Sequence, residues 1–169
     1  GWQGAISLPR DLSIDEKGRL VQKPVPELTE IRGELTTLSN ISLNNSSKNL
    51  VQNFPQFEMI MKVSNPGTDH IGFRFNDEDG EAYEISITRG RLTIGEDQFK
   101  VDPILDEKIK TVHLFFDRTI IEIFVNDGLL CATKVIYPHM RNLNFEIFTQ
   151  EEKTSIESID IWNMNSIWN

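Results

Sequence analysis

Short runs of alternating apolar and polar residues, separated by turn residues, are the feature that most constrains the fold of this chain. The clearest run is Ala82–Thr88, in which Ile85 and Ile87 point one way while Glu84 and Ser86 point the other. A period of two is typical of a strand with one buried and one wet face, whereas helical spacing is scarce in this chain. The pattern predicts antiparallel sheets.

Turn residues between these runs predict which strands pair. Ile71–Phe75 alternates like Ala82–Thr88, and the Asn, Asp and Gly residues of 76–80 between them favour a hairpin. Arg89–Gly90 separates the Ala82–Thr88 run from Arg91–Ile94, and Asn126–Gly128 separates Ile120–Val125 from Leu129–Ile136, so both are predicted to be tight hairpin turns. Four further strands are predicted: Phe57–Val63, Thr111–Phe116, Leu143–Thr149 and Ser155–Trp162. Roughly ten such strands indicate a sandwich. The expected fold class is all-β, a two-sheet antiparallel β-sandwich of the jelly-roll or concanavalin-like kind.

Two regions depart from the alternation. Residues 1–32 contain Pro9, Pro24 and Pro26, which favours extended edge segments and turns over a central strand. We therefore expect 1–32 to be a junction and lead-in segment that wraps a sandwich domain formed by 33–169. The Ser- and Asn-rich stretch 39–53 predicts a surface loop or a short irregular turn.

The charge balance excludes several classes of partner. There are 26 acidic and 17 basic residues, and the formal net charge of −9 repels phosphate backbones and anionic lipid surfaces. No apolar run approaches the roughly 20 residues that span a bilayer. Nucleic acid and membrane partners are therefore not expected. The single cysteine, Cys131, excludes an internal disulfide and is predicted to be a small buried hydrophobe. The lack of an internal disulfide is compatible with a cytoplasmic and with an exported protein.

A search for catalytic groups finds no site. Cleavage of a glycosidic bond needs two carboxyl groups that face each other across it. The densest acidic stretch lies in the 76–81 hairpin and is predicted to be a solvated turn with ordinary acidity: Asp77, Glu78, Asp79 and Glu81. There is no Gly-x-Ser-x-Gly motif and no glycine-rich phosphate loop.

Metals and cofactors are not predicted either. His70, His113 and His139 lie far apart, and none has the spacing of a two-histidine or cysteine-rich site. His113 sits in an apolar run, so a packed or half-exposed strand histidine is expected there.

Sugar binding without catalysis is a second hypothesis, because aromatic rings on a sandwich can stack on sugars. Trp162, Trp168 and Tyr83 are the weak stacking candidates. Trp162 lies in the apolar run Ile159–Trp162, where packing is the commoner role of a large aromatic side chain.

Several segments together resemble the C-terminal domain of glycoside hydrolase family 32, which includes invertases, sucrose-6-phosphate hydrolases, levanases and inulinases. Gly1–Leu12 is similar to the family's G-W-x-G-x-L/I-S/T-x-P-R-x-L junction, and Gly18–Leu28 is similar to its G-x-L-x-Q-x-P-V-x-E-L segment. Asp117–Gly128 resembles its D-R-S-x-x-E-x-F-x-N-D-G hairpin, and Ile161–Trp168 resembles its usual ending. Thr119 stands where the family commonly has Ser, which keeps the hydroxyl.

The resemblance implies a non-catalytic domain. The family's catalytic motifs, W-x-N-D-P-N-G, R-D-P and E-C, lie on an N-terminal five-bladed propeller, and none occurs in this chain. The chain is therefore expected to be the C-terminal sandwich of a retaining β-fructofuranosidase-type enzyme that cleaves sucrose, sucrose-6-phosphate or fructan, and to stabilise that propeller. The alternative is a carbohydrate-binding module for fructan or another glycan.

The resemblance also implies contacts with partners. The lead-in should lie at the interface with the propeller, with Trp2, Gln3 and Arg10 as interface candidates. An equally weighted alternative is that Arg10 pins its own domain. In this family the sandwich can also contribute to a homodimer.

Overall fold

The computed structural model describes residues 4–52, 55–64, 67–76, 82–88, 91–100, 107–137 and 143–166. These residues form fourteen strands and one short 3₁₀-helix. In chain order they are β1 (Arg10–Ile14), β2 (Leu20–Pro24), the 3₁₀-helix (Pro26–Ile31), β3 (Arg32–Leu43), β4 (Ser47–Gln52), β5 (Gln56–Val63), β6 (His70–Asn76), β7 (Ala82–Thr88), β8 (Arg91–Ile94), β9 (Asp97–Lys100), β10 (Thr111–Asp117), β11 (Ile120–Val125), β12 (Leu130–Val135), β13 (Asn144–Phe148) and β14 (Thr154–Met164). The helix has six residues, and no helix of the described residues is long and apolar enough to cross a membrane.

Twelve of the strands form two six-stranded antiparallel sheets, which confirms the predicted sandwich. The first sheet has the order β12-β11-β10-β5-β14-β3, and the second has the order β4-β13-β6-β7-β8-β9. The hairpin partners expected from turn residues do pair: β6 with β7, β7 with β8, and β11 with β12. The turn at Arg89–Gly90 itself and the acidic residues of the 77–81 turn lie outside the described residues.

The core lies between the two sheets and is centred on aromatic rings. Strand alternation directs every second side chain inward, so that Phe57 and Met59 of β5 are at most 1% exposed. Five phenylalanines from both sheets meet there with ring centroids 4.6 to 6.3 Å apart: Phe57, Phe73, Phe75, Phe116 and Phe145. Burial of each ring contributes about 2–3 kcal/mol of hydrophobic free energy, and contacts across the layers fix how the sheets stack.

The prediction of a loop over 39–53 is wrong. β3 continues to Leu43 and β4 begins at Ser47, so the turn is confined to residues 44–46. β3 lies at the edge of the first sheet and pairs with β14 along its length, and most of its side chains are exposed. Polar residues are therefore compatible with the strand. Asn40 and Asn45 adopt positive φ values of 55° and 41°. Asparagine tolerates this conformation, so these residues mark single positive-φ positions and not a loop.

The lead-in forms a small sheet of its own. β1 and β2 pair as an antiparallel hairpin in which Ile14 lies opposite Leu20. The backbone N–H of Gln22 donates to the Gly128 carbonyl over 2.9 Å, and Val21 is only 8% exposed, so β2 packs against the turn between β11 and β12. The hairpin is thus an addition to the sandwich and not a strand of either large sheet.

Candidate docking surface

The outer face of the first sheet carries side chains that are unusually buried for a face that points away from the core. One cross-strand row on this face runs through Trp162, Glu58, Phe115, Glu122 and Thr133. Within it, Glu58 is 1% and Glu122 is 2% exposed. Because a buried carboxylate is stable only when it is paired, this face must be covered by cationic side chains.

Arg10 covers Glu122. Its Nη2 donates to Glu122 Oε2 and to Thr133 Oγ1, each over 2.7 Å, and its Nη1 donates to Gln22 Oε1 over 3.1 Å. The backbone N–H of Leu8 donates to the second Glu122 oxygen over 2.5 Å. Each partner of Glu122 in the lead-in lies more than 110 residues away in sequence, and together they hold the start of the lead-in on the outer face.

Arg32 covers Glu58 in the same manner at the start of β3. Its Nε and Nη2 make a two-pronged contact with the carboxylate at 2.7 and 2.6 Å, and His113 Nε2 lies 2.7 Å from Glu58 Oε1. Burial alone would raise the pKa of Glu58, but hydrogen bonds from Arg32 and His113 outweigh burial, and the pKa lies below its usual value. The same contact with Glu58 raises the pKa of Arg32. Glu58 is therefore a fixed anion at neutral pH.

The contacts of these two buried acids hold segments of the chain in place. A general acid for glycoside cleavage needs a raised pKa so that it is protonated near neutral pH. Glu58 has the opposite shift, and Glu122 is engaged by Arg10, Leu8 and Thr133. Arg10 thus pins its own domain through its guanidinium, and its role at an interface stays a prediction. Trp2 and Gln3 lie outside the described residues.

A second anchor holds the far end of the lead-in hairpin. Asp15 Oδ1 accepts hydrogen bonds from the backbone N–H groups of Lys17 and Arg19, and the Arg19 side chain contacts Asp15 over 2.7 Å. The hydrogen bond from the Arg19 backbone is the strongest of the effects that lower the pKa of Asp15. Arg19 and Lys17 also reach Glu107, ahead of β10, at 3.2 and 3.1 Å. The hairpin is therefore tied to the sandwich at both of its ends.

Between these anchors the hairpin exposes apolar side chains. Leu12 and Ile14 of β1 are each 66% exposed, and Leu20 of β2, opposite Ile14, is 50% exposed. Ile6, just ahead of β1, is 94% exposed. Sequence reasoning missed this surface, although the spacing of Leu12 and Ile14 is the same alternation that identified the other strands.

The sugar-stacking candidates have other contacts. The guanidinium carbon of Arg32 lies 3.9 Å from the centre of the Trp162 ring, so one face of that ring is covered. Tyr83 lies opposite Phe75, on the core side of β7, and packs partly buried against the core. Trp168 lies outside the described residues. Stacking of a sugar on these residues stays a prediction.

The histidines have packing and hydrogen-bonding contacts. His113 is half-buried and lies against the rings of Phe115 and Phe124, as expected for a strand histidine. His70 is buried, and its Nδ1 accepts a hydrogen bond from the backbone N–H of Gln150 over 3.2 Å. His139 lies outside the described residues. Within the described ranges, no three His, Cys, Asp or Glu side chains are grouped so as to hold a metal ion.

Cys131 is half-buried, which is less than the full burial expected from the sequence. Burial raises the pKa of its thiol to about 11. The Sγ atom lies 3.5 Å from the carbonyl oxygens of Gln22 and Gly128, so the thiol contacts the same junction between β2 and the β11–β12 turn.

Comparison with known proteins places this architecture among carbohydrate-cleaving enzymes. Residues 27–163 match the family described as Glycosyl hydrolases family 32 C terminal, and the chain belongs to that family. It is 25% identical to a raffinose invertase of Escherichia coli, over 95% of this chain and 35% of that protein. It is 26% identical to a levanase of Bacillus subtilis (strain 168), over 99% of this chain and 28% of that protein. The chain thus spans about a third of the length of these relatives.

Solved structures share the fold. The exo-inulinase from Aspergillus awamori superimposes with a TM-score of 0.73 and 18% identity, over 99% of this chain and 37% of that chain. Fructan 1-exohydrolase IIa from Cichorium intybus gives a TM-score of 0.68 and 20% identity, over 95% of this chain and 41% of that chain. The two-sheet sandwich is therefore an established part of larger structures.

Proposed function

We propose that this chain is the non-catalytic C-terminal sandwich of a retaining β-fructofuranosidase-type glycoside hydrolase, and that it stabilises the enzyme's N-terminal propeller. The parent would hydrolyse sucrose, sucrose-6-phosphate or fructan. The observation that carries the proposal is the use of both outer-face carboxylates, Glu58 and Glu122, in ion pairs that hold Arg32 and Arg10. Family membership and the coverage of only a third of the relatives' length support a parent that is larger than this chain.

The first test measures catalysis by the chain alone. The purified chain is incubated with sucrose, levan and inulin, and released fructose is assayed. We expect no release, because neither outer-face carboxylate is arranged as a general acid. Fructose release that survives Glu58→Gln and Glu122→Gln would place a catalytic site elsewhere in this chain and overturn the non-catalytic proposal.

The second test measures stabilisation of the parent. Thermal unfolding of the full polypeptide is compared with that of its N-terminal part alone. We expect the melting temperature of the N-terminal part to be lower, and to rise when the separate chain is added in excess, because a ligand that binds only the folded state stabilises it. An unchanged melting temperature in both experiments would contradict the stabilising role.

The coding sequence upstream of this chain gives an independent check. We expect it to encode W-x-N-D-P-N-G within a few hundred residues, as the resemblance implies. Its absence would remove the parent enzyme from the proposal.

Glycan binding and self-association are distinguished from this function by two further measurements. Calorimetric titration of the chain with sucrose, levan and inulin oligosaccharides should give no saturable heat. Saturable heat that Trp162→Ala abolishes would favour the carbohydrate-binding alternative. Sedimentation of the chain over a range of concentrations tests the homodimer implied by the resemblance.

A further inference from the structure

The lead-in hairpin has an apolar surface that no other described part of the chain covers. We call Leu12, Ile14 and Leu20 the hairpin patch. Leu12 and Ile14 lie on one side of β1 by alternation, and Leu20 faces Ile14 across the hairpin. All three are at least 50% exposed. Isolated exposed apolar residues are ordinary, but three neighbours on one side of a two-stranded ribbon form a patch of the kind that marks an interaction site.

The opposite side of the hairpin is buried at one residue only, while Asp11, Ser13 and Lys23 on that side are exposed. Val21, which points the other way from Leu20, is 8% exposed and packs against the sandwich. Arg10 and Gln22 share the side of the patch by alternation. Gln22 lies opposite Leu12 in the middle of the ribbon and accepts a hydrogen bond from Arg10, which lies at the other end, against Glu122. Two-stranded ribbons twist strongly, so one end can face the first sheet while the end that carries Ile14 faces outward.

The patch is held in place before any partner arrives. The Arg10–Glu122 contact fixes one end of the hairpin, and the contacts of Arg19 and Lys17 with Glu107 fix the other. The Gln22–Gly128 hydrogen bond fixes its middle. A surface that is ordered in advance loses less conformational entropy when it binds. Such anchoring of an otherwise marginal two-stranded hairpin is what a docking surface requires.

We propose that the hairpin patch is the surface on which the N-terminal domain of the same polypeptide docks. This inference rests on the proposed function, and it names the surface that the proposed function requires. In these relatives, about two thirds of the polypeptide lies outside the part that this chain covers. A domain joined ahead of Gly4 is tethered by the irregular stretch 4–9 directly to β1, at the high effective concentration that a short linker gives. The net charge of −9 disfavours a second copy of the chain as the occupant.

The test uses a triple variant and a matched control. Leu12→Ser, Ile14→Ser and Leu20→Ser are combined in one chain. The control combines Leu35→Ser and Val135→Ser, which replace residues of the first sheet that are 49% and 37% exposed outside the patch. Each chain is titrated calorimetrically against the separately produced N-terminal domain. We expect the triple variant to bind about 100-fold more weakly, and the control to bind within about threefold of the parent sequence.

Folding of the variants is checked by thermal unfolding, which should change little because the replaced side chains are exposed. If the triple variant unfolds, Leu12→Ser alone is used, with an expected weakening of about fivefold or more. Binding of the folded patch variant equal to that of the unmodified chain overturns the inference. Failure of the unmodified chain to bind overturns the proposed function instead. Self-association of the unmodified chain that the triple variant abolishes assigns the patch to a second copy and also overturns the inference.

Discussion

Glu122 and Arg10 illustrate how a charged pair can define structure while contributing little net stability. Glu122 is 2% exposed, so its desolvation is costly, and the contact with Arg10 mainly offsets that cost. Loss of one partner is a different matter, because an uncompensated buried charge remains. The value of the pair therefore lies in specifying where the lead-in attaches.

Arg10→Met tests whether the loss of one partner costs more than the pair contributes. The methionine keeps an apolar stem but leaves Glu122 without its cation, and we expect the free energy of unfolding to fall by about 3 kcal/mol. Urea denaturation measures it. Adding Glu122→Gln to Arg10→Met removes the stranded charge and should restore at least about 1 kcal/mol. A double variant that is as unstable as the sum of the single changes would contradict the explanation.

His70 gives the chain a pH dependence. Burial lowers the pKa of His70, although the charges of Glu151 and Glu84 act in the opposite direction. Since Nδ1 accepts the Gln150 N–H, the folded state requires the neutral imidazole. Between the ordinary histidine pKa of about 6.5 and the lower folded pKa, only the unfolded chain binds the proton. Stability should therefore fall as the pH decreases from about 6.5 through that window.

His70→Gln measures this contribution. Without a titrating group at position 70, the free energy of unfolding should depend less steeply on pH just below 6.5. Urea denaturation at intervals of half a pH unit provides the comparison. Parallel profiles for the two proteins would show that His70 does not carry the effect.

Cys131 should be a slow thiol. A pKa of about 11 leaves a very small thiolate fraction at pH 8. We expect a disulfide reagent to react at least about tenfold more slowly with the folded chain than with the urea-unfolded chain. Equal rates in the two states would contradict the raised pKa.

At the scale of elements, strands whose inward side chains are regularly apolar could be predicted, and a strand that is exposed along most of its length could not. β5, β7 and β11 follow the alternation because their inward residues form the core. β3 escaped prediction because it is an edge strand whose order comes from pairing with β14, more than 110 residues later. The prolines of the lead-in predict extended segments and turns. They do not predict that β1 and β2 pair as a hairpin.

The candidate surface was predictable only in part. Arg10 could be identified because it lies in a recognisable motif, but its partner Glu122 is 112 residues away, and no local pattern joins them. Trp162 was suspected as a sugar platform, and the Arg32 side chain that covers one face of its ring could not be foreseen from sequence. Exposure of the hairpin patch depends on how the hairpin is oriented on the sandwich, which only the tertiary structure shows.

Gly128 joins two elements through close contact. Its φ is +90°, and a Cβ at this position would lie 2.0 Å from the carbonyl oxygen of Gln22 in β2. Gly128→Ala should therefore push β2 away as well as strain the turn. The matched control is Gly95→Ala, which has a positive φ of +59° but no atom within 4 Å.

We expect Gly128→Ala to destabilise the chain by at least about 1 kcal/mol more than Gly95→Ala, which should cost about 1 kcal/mol from backbone strain alone. Urea denaturation measures both changes. Trypsin cleavage after Lys17 or Arg19 should accelerate only in the Gly128 variant, because only that variant loosens the hairpin. Equal stability and equal cleavage would refute the proposed contact.

At the scale of the whole molecule, stability is distributed unevenly. The two large sheets share one aromatic core, whereas the lead-in hairpin is attached to them by a few polar contacts and one buried valine. Regions with few buried apolar contacts open locally at lower free energy than the core.

Amide hydrogen exchange should display this difference. We expect the amides of β1 and β2 to exchange faster than those of β5, β6 and β10, with the Gln22 amide the slowest of the hairpin because of its bond to Gly128. Addition of the N-terminal domain should slow the exchange of the hairpin selectively. Uniform protection across hairpin and sheets in the free chain would show that the lead-in is not a separate opening unit.

The Arg10–Glu122 contact also sets an order of events during synthesis. The lead-in leaves the ribosome first, but its carboxylate partner follows 112 residues later, a delay of roughly 6–20 s at ribosomal speeds of 5–20 residues per second. Until β11 has emerged, the Arg10 end of the hairpin has no carboxylate partner. A domain made before this chain therefore has that interval to fold on its own before a fixed surface is available to receive it.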